Sequence, residues 1–132
     1  MNFFHYPHTI ALEGGESLAE LTIAYTTYGT MNADKSNVVW ICHALTANSD
    51  AADWWNGVVG KGQVINPEEH FIVCANILGS CYGTTGPLSI NQQTGKPYYH
   101  SFPFITIRDM VALHILLRNH LGIKEIFLLI GG

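Results

Sequence analysis

From Thr106 to Gly132 the chain reads as a helix, a glycine and an apolar strand, and this run constrains the fold more than any other. Thr106 fits the helix N-cap, and Asp109 completes a capping box with Asp in place of Glu or Gln. Met110, Leu113, Leu117 and Leu121 recur at helical spacing, and Val111 and Leu116 widen that apolar face toward the core. Gly122 stands where a left-handed residue closes a helix. Ile126 to Ile130 then predicts a buried strand. A helix returning directly to such a strand predicts the right-handed crossover of a parallel α/β sheet.

The earlier residues supply the rest of that sheet. Thr9 to Leu12 and Leu21 to Tyr28, joined through the turn signal Glu13-Gly14-Gly15-Glu16, predict an antiparallel strand pair. Gly29 to Asn37 is a polar connection. Val38 to Cys42 and Phe71 to Asn76 are continuous apolar runs, as in strands covered on both faces. Leu78 to Pro103 has no secondary-structure period, and a loop of that length is usually functional. An antiparallel N-terminal pair feeding a mixed, mostly parallel sheet fits the α/β-hydrolase fold better than a Rossmann domain. The Rossmann fingerprint follows the first strand, whereas Gly131-Gly132 follows the fifth strand predicted here.

Composition limits the function. With six Lys and Arg against ten Asp and Glu, a net charge of −4 and no basic patch, a nucleic-acid surface is not expected. The longest apolar run, Ile126 to Ile130, is too short to span a bilayer. The residues from Met1 to Pro7 lack the basic start and apolar core of a signal peptide. A cytoplasmic location is expected. The three cysteines, Cys42, Cys74 and Cys81, lack C-x-x-C spacing and suggest a reduced compartment. Cys42 and Cys74 sit in apolar runs, where a free thiol behaves as a small hydrophobe. The seven histidines form no H-x-x-x-H pair or Cys/His knuckle, so no metal site is expected.

The chemistry is expected at the ends of two strands. An apolar strand running into two small residues leads, in serine acyl-transfer enzymes, to the sharp G-x-S-x-G turn that carries the nucleophile. Gly131 and Gly132 would open such a turn, one residue before a serine. His43-Ala44-Leu45-Thr46 closes the first buried strand, where a loop supplies a backbone N–H to the oxyanion hole. Small Ala44 lets the backbone approach the reacting carbonyl, and the Leu45 N–H would face the developing charge. Removing one such donor raises the barrier by about 3 kcal/mol. His43 is placed as a loop-fixing residue rather than a base, because base and acid follow the nucleophile in this fold.

Ile41-Cys42-His43-Ala44-Leu45-Thr46, Asp53-Trp54-Trp55 and the stretch Asn76-Ile77-Leu78-Gly79-Ser80-Cys81-Tyr82-Gly83-Thr84-Thr85-Gly86-Pro87 together resemble the homoserine O-acetyltransferase family. Ser89-Ile90-Asn91, Thr94-Gly95-Lys96-Pro97-Tyr98, Phe102-Pro103 and Ile130-Gly131-Gly132 extend the resemblance in order and spacing over nearly all the chain after about residue 9. It implies that residues 1–132 are the N-terminal part of a single α/β-hydrolase catalytic domain. The activity implied is transfer of an acyl group from acetyl-CoA (or succinyl-CoA) to a serine and then to L-homoserine. The product is O-acetyl-L-homoserine for methionine biosynthesis, made with ping-pong kinetics. A homodimer and no permanently bound cofactor are implied for the whole enzyme.

The resemblance carries Leu45 over as the oxyanion donor and leaves nucleophile, acid and base to residues beyond Gly132. Thr46 and Asn48 are placed as pocket-lining residues. Family members commonly carry glycine where this chain has Ala47. The Gly79 to Gly86 loop lacks P-loop spacing and is read as a tight packing loop. Trp54 and Trp55 fit either a channel wall or a loop anchor. Two other functions stay open: a carboxylic-ester hydrolase of the same fold, and a non-catalytic assembly fragment. The 132 residues alone are expected to lack acetyltransferase activity and to fold poorly, with an uncovered strand edge.

Overall fold

The computed structural model describes residues 1–132. Five strands form the main sheet: β1 (Asn2–Tyr6), β4 (Leu21–Tyr28), β5 (Val38–Cys42), β6 (Phe71–Ala75) and β9 (Leu128–Gly131). Their spatial order is β1-β4-β6-β5-β9. The pairs β1–β4 and β4–β6 are antiparallel, while β5 runs parallel to both β6 and β9. Two short ribbons lie outside this sheet, β2 (Ile10–Ala11) with β3 (Ser17–Leu18) and β7 (Ile90–Asn91) with β8 (Lys96–Pro97). The helices are α1 (Ala51–Trp54) and α2 (Ile107–His120), with a short 3-10 turn at Tyr99–Ser101.

Local chemistry sets α2 at both ends. The Thr106 hydroxyl accepts the Asp109 N–H, and the Asp109 carboxylate accepts the Thr106 N–H in return. That carboxylate also accepts the Glu13 N–H at 2.9 Å, tying the helix start to the β2–β3 turn. These backbone donors hold the Asp109 carboxyl below its ordinary range, those of Thr106 first and Glu13 second. At the other end the Ile123 N–H reaches the Arg118 carbonyl and the Gly122 N–H reaches Asn119, a Schellman closure. Gly122 sits at φ +66, the left-handed conformation this closure needs.

Alternation along β5 builds two cores. Val38 and Trp40 face Leu113 and Leu117 of α2, with Ile23, Tyr25 and Val73 beside them. Val39 and Ile41 face the other way, with Ile72, Cys74, Ala51, Val59 and Ile65. All four β5 residues are almost fully buried, as a strand covered on both faces requires.

Several sequence expectations need correction. The antiparallel partner of Leu21–Tyr28 is Asn2–Tyr6, not Thr9–Leu12, with His5 opposite Thr22 and Phe3 opposite Ala24. Ile10–Ala11 instead folds back on Ser17–Leu18, because the Glu13–Glu16 turn closes only a two-residue ladder. The final strand begins at Leu128 rather than Ile126 and is not buried throughout. It pairs only with β5, and Leu129 is 64% exposed. Val111 lies outside the core face of α2, 52% exposed, while Leu113 and Leu117 point inward. Cys42 is exposed as a residue, whereas Cys74 is buried among the strands.

Candidate active site

Because β5, β6 and β9 run parallel, their carboxyl ends open on one side of the sheet, where open α/β folds hold their ligands. Three loop segments meet there. The residues after β5 make a four-residue turn in which the Ala47 N–H donates to the Ala44 carbonyl at 3.0 Å. Leu45 and Thr46 occupy its centre. Thr46 sits at φ +69, the sign required at the third position of a type II turn and costly for a β-branched residue. Such a residue persists only where its surroundings hold it, and strained positions of this kind cluster at functional sites.

The turn is braced by His43. Its Nδ1 lies 2.9 Å from the Ala44 carbonyl, and its Nε2 faces the Ile77 N–H at 3.4 Å on the segment after β6. A carbonyl can only accept and an N–H can only donate, so in this arrangement Nδ1 donates and Nε2 accepts. With both nitrogens engaged, His43 fixes the loop and is not free to act as a base.

Past β9, the Gly132 N–H donates to the Cys42 carbonyl at 3.3 Å. A Cβ placed on Gly132 would lie 3.6 Å from the Ala44 Cβ and 3.2 Å from the Trp54 ring. The end of β9 therefore lies against the turn that carries Leu45. No group in the chain accepts the Leu45 N–H, and the Leu45 side chain is 91% exposed. Leu45 and Thr46 line an apolar groove of about 310 Å³ whose far wall is α2, through Ile107, Met110 and His114. An N–H without an acceptor, on a strained turn at the rim of an apolar groove, can stabilise a developing oxyanion.

Asn48 lies apart from this groove. Its Oδ1 accepts the Asp50 N–H at 2.8 Å, and its carbonyl accepts the Trp54 indole N–H at 2.8 Å. Trp54 thus anchors the loop, and its ring stacks on Trp55 with centroids 5.3 Å apart. The Gly79 to Gly86 loop serves the sheet. The Thr84 hydroxyl accepts the Ala24 N–H at 3.0 Å, and the Thr85 hydroxyl accepts the Thr22 N–H at 2.8 Å. These side chains stand in for a strand along the half of β4 that β6 does not reach.

Sequence reasoning did not single out His114. Its Nδ1 accepts the Trp40 indole N–H at 3.3 Å, which leaves the proton on Nε2. Burial, reinforced by nearby His43, lowers its pKa from 6.5 to about 4. The helical period put it on a flank of α2, but only the contact with β5 marks it as part of the groove wall. No helix of the chain is long and apolar enough to cross a membrane.

No family model matches the chain. Relatives named homoserine O-acetyltransferase do. The chain is 53% identical over 130 residues to that of Trichormus variabilis, a match covering 98% of this chain and 36% of the relative. It is 56% identical over 121 residues to that of Chlorobaculum parvum, covering 92% of this chain and 34% of the relative. Among solved structures, homoserine O-acetyltransferase from Bacillus anthracis aligns with TM-score 0.89 and 32% identity, over 98% of this chain and 39% of that one. An acetylester hydrolase from Corynebacterium glutamicum aligns with TM-score 0.81 and 28% identity, over 99% and 37% respectively. The chain is therefore a homologue of homoserine O-acetyltransferases with the N-terminal portion of an α/β-hydrolase fold. It spans about a third of the length of the curated relatives it matches.

Proposed function

We propose that residues 1–132 form the N-terminal part of the single catalytic domain of a homoserine O-acetyltransferase. Their catalytic contribution is the Leu45 backbone N–H. The observation that carries this reading is the unpaired Leu45 N–H on a turn lying against Gly132. A serine on an elbow after β9 would attack the thioester carbonyl of acetyl-CoA. As the carbonyl carbon becomes tetrahedral, its oxygen takes the negative charge and accepts from Leu45. Collapse breaks the C–S bond, the serine's proton passes to the CoA sulfur through a base in the rest of the domain, and an acyl-serine remains. The side-chain hydroxyl of L-homoserine then attacks that ester, the same N–H holds the second oxyanion, and O-acetyl-L-homoserine departs. Thr46 shapes the turn and borders the groove, while Asn48 orders the loop behind it.

Acetyl-CoA enters as a substrate rather than a resident cofactor. The reading includes a cytoplasmic homodimer for the whole enzyme. On this account the 132 residues alone turn over nothing, because they hold the oxyanion donor without an elbow serine.

The test is a chimera in which these residues replace the matching third of the Trichormus variabilis enzyme. Incubated with acetyl-CoA alone, it is expected to gain one covalent acetyl group on serine, which L-homoserine then removes. Failure of a folded chimera to acetylate would sink the reading. A second reading, ester hydrolysis, is favoured by the likeness to the acetylester hydrolase. It predicts an acyl-serine discharged by water at the same rate with or without homoserine.

A further inference from the structure

Asn56-Gly57 is the one place in the chain where glycine follows asparagine. The pair forms the middle of a four-residue turn after α1, closed by the Val58 N–H donating to the Trp55 carbonyl at 3.1 Å. Gly57 holds φ +87 there, a conformation open to glycine and strained for other residues. Both residues are exposed, and nothing lies within 4 Å of where a Gly57 Cβ would stand. No group in the chain accepts the Gly57 N–H. The Asn56 carboxamide has no hydrogen-bond partner either, and in this it differs from every other asparagine of the chain. Oδ1 of Asn32, Asn48, Asn66 and Asn91 accepts a backbone N–H. Asn37 and Asn76 donate to carbonyls, and the remaining two reach neighbouring side chains.

We infer that Asn56 is a site of spontaneous deamidation through the Gly57 nitrogen, and that the isoaspartyl product loosens Trp54 from the end of β9. Asparagine is a thermolabile residue, and glycine after it places no side chain over the attacking nitrogen. The Gly57 nitrogen gives up its proton and attacks Asn56 Cγ, closing a succinimide ring. The Cγ–Nδ2 bond breaks, and Nδ2 leaves as ammonia with the proton taken from Gly57. Water then opens the ring. Attack at Cγ leaves aspartate, and attack at the backbone carbonyl leaves isoaspartate, whose main chain runs through Cβ and Cγ. The longer link falls inside a turn that holds the end of α1. The Val58 and Val59 N–H groups both donate to the Trp55 carbonyl at 3.1 Å, across the modified bond. Next to it, the Trp54 indole is tied to the Asn48 carbonyl, and its ring lies 3.2 Å from where a Gly132 Cβ would stand. One extra main-chain atom moves both N–H groups out of register, whereas aspartate leaves the chain length unchanged. The modification rests on this turn alone; its effect on catalysis rests on the proposed function.

The experiment ages the chimera in mildly alkaline buffer and maps its peptides by mass spectrometry. The peptide holding Asn56 should convert to separate aspartyl and isoaspartyl forms, faster as pH rises because the Gly57 nitrogen must lose its proton. Asn48 and Asn76 should stay intact. Asn56→Gln, which would have to close a larger ring, should show no conversion. Acetyl transfer should be lost in step with the isoaspartyl fraction, while Asn56→Asp keeps the activity of the fresh chimera. Conversion at Asn48 ahead of Asn56, or activity that stays level as isoaspartate accumulates, overturns the inference. A fresh chimera that deamidates at Asn56 yet transfers no acetyl group contradicts the acyltransferase reading and upholds the site.

Discussion

The Thr84 hydroxyl accepts the Ala24 amide at 3.0 Å across 60 residues of sequence, and it passes its own proton to the Asn76 carbonyl at 2.9 Å. One side chain thereby joins a loop to β4 and to the residue that follows β6. Ala24 and Asn76 are fully buried, so neither group has water as an alternative. Thr84→Val keeps the shape and removes both bonds. It should cost about 1–3 kcal/mol, the penalty for leaving a buried donor unsatisfied, while Thr84→Ser should cost less. Urea midpoints of the chimera and its two variants test this ranking. Equal midpoints for Val and Ser would show that the hydroxyl is not what closes the sheet.

His114 should make the chimera sensitive to acid. Its folded pKa, about 4, lies below the 6.5 expected when unfolded, so the unfolded state takes up the proton first as pH falls. Stability is full above about pH 6.5 and is lost progressively down to about pH 4, by on the order of 3 kcal/mol. Denaturation midpoints across this window should fall for the wild type and fall less for His114→Phe. Parallel profiles would show that another group controls the acid response.

The three thiols should differ in reactivity. Cys74 is buried, and burial raises its pKa to about 12, with Cys42 adding to the shift. Burial also raises Cys42, although the residue is exposed. Cys81 is exposed on the loop before Thr84. Since the thiolate is the reactive form, iodoacetamide at neutral pH should label Cys81 first, Cys42 more slowly and Cys74 only in denaturant. Peptide mapping by mass spectrometry checks the order. Early labelling of Cys74 would contradict the packing of β6.

What could be read from the sequence was local. Thr106 and Asp109 are three residues apart, so their capping box is written in adjacent letters, and the structure has it. The strands at Leu21–Tyr28 and Val38–Cys42 stand at the expected residues because β-branched and apolar runs mark them. Asn2–Tyr6 was missed because five residues before a proline carry little pattern, and their partner lies beyond an intervening ribbon. The exposure of Val111 and Leu129 was also hidden: hydrophobic spacing records a face that packs but not what packs on it. Beside the groove, the strand end pointed to Leu45 and Thr46, which line it. Asn48 looked equivalent by proximity, yet its side chain is committed to Asp50. His114 depends on a contact with Trp40 that no spacing announces.

The most direct test of the account removes one hydrogen. Leu45 stands second in its four-residue turn, a position that accepts proline, and proline there deletes the N–H while keeping the turn. In the chimera, Leu45→Ala retains the donor and should leave kcat for acetyl transfer to L-homoserine nearly unchanged. Leu45→Pro should lower kcat by about 10²–10³ with little change in KM, since the oxyanion exists only at the transition state. A folded Leu45→Pro enzyme that keeps the parent kcat would contradict the claim that this turn holds the oxyanion.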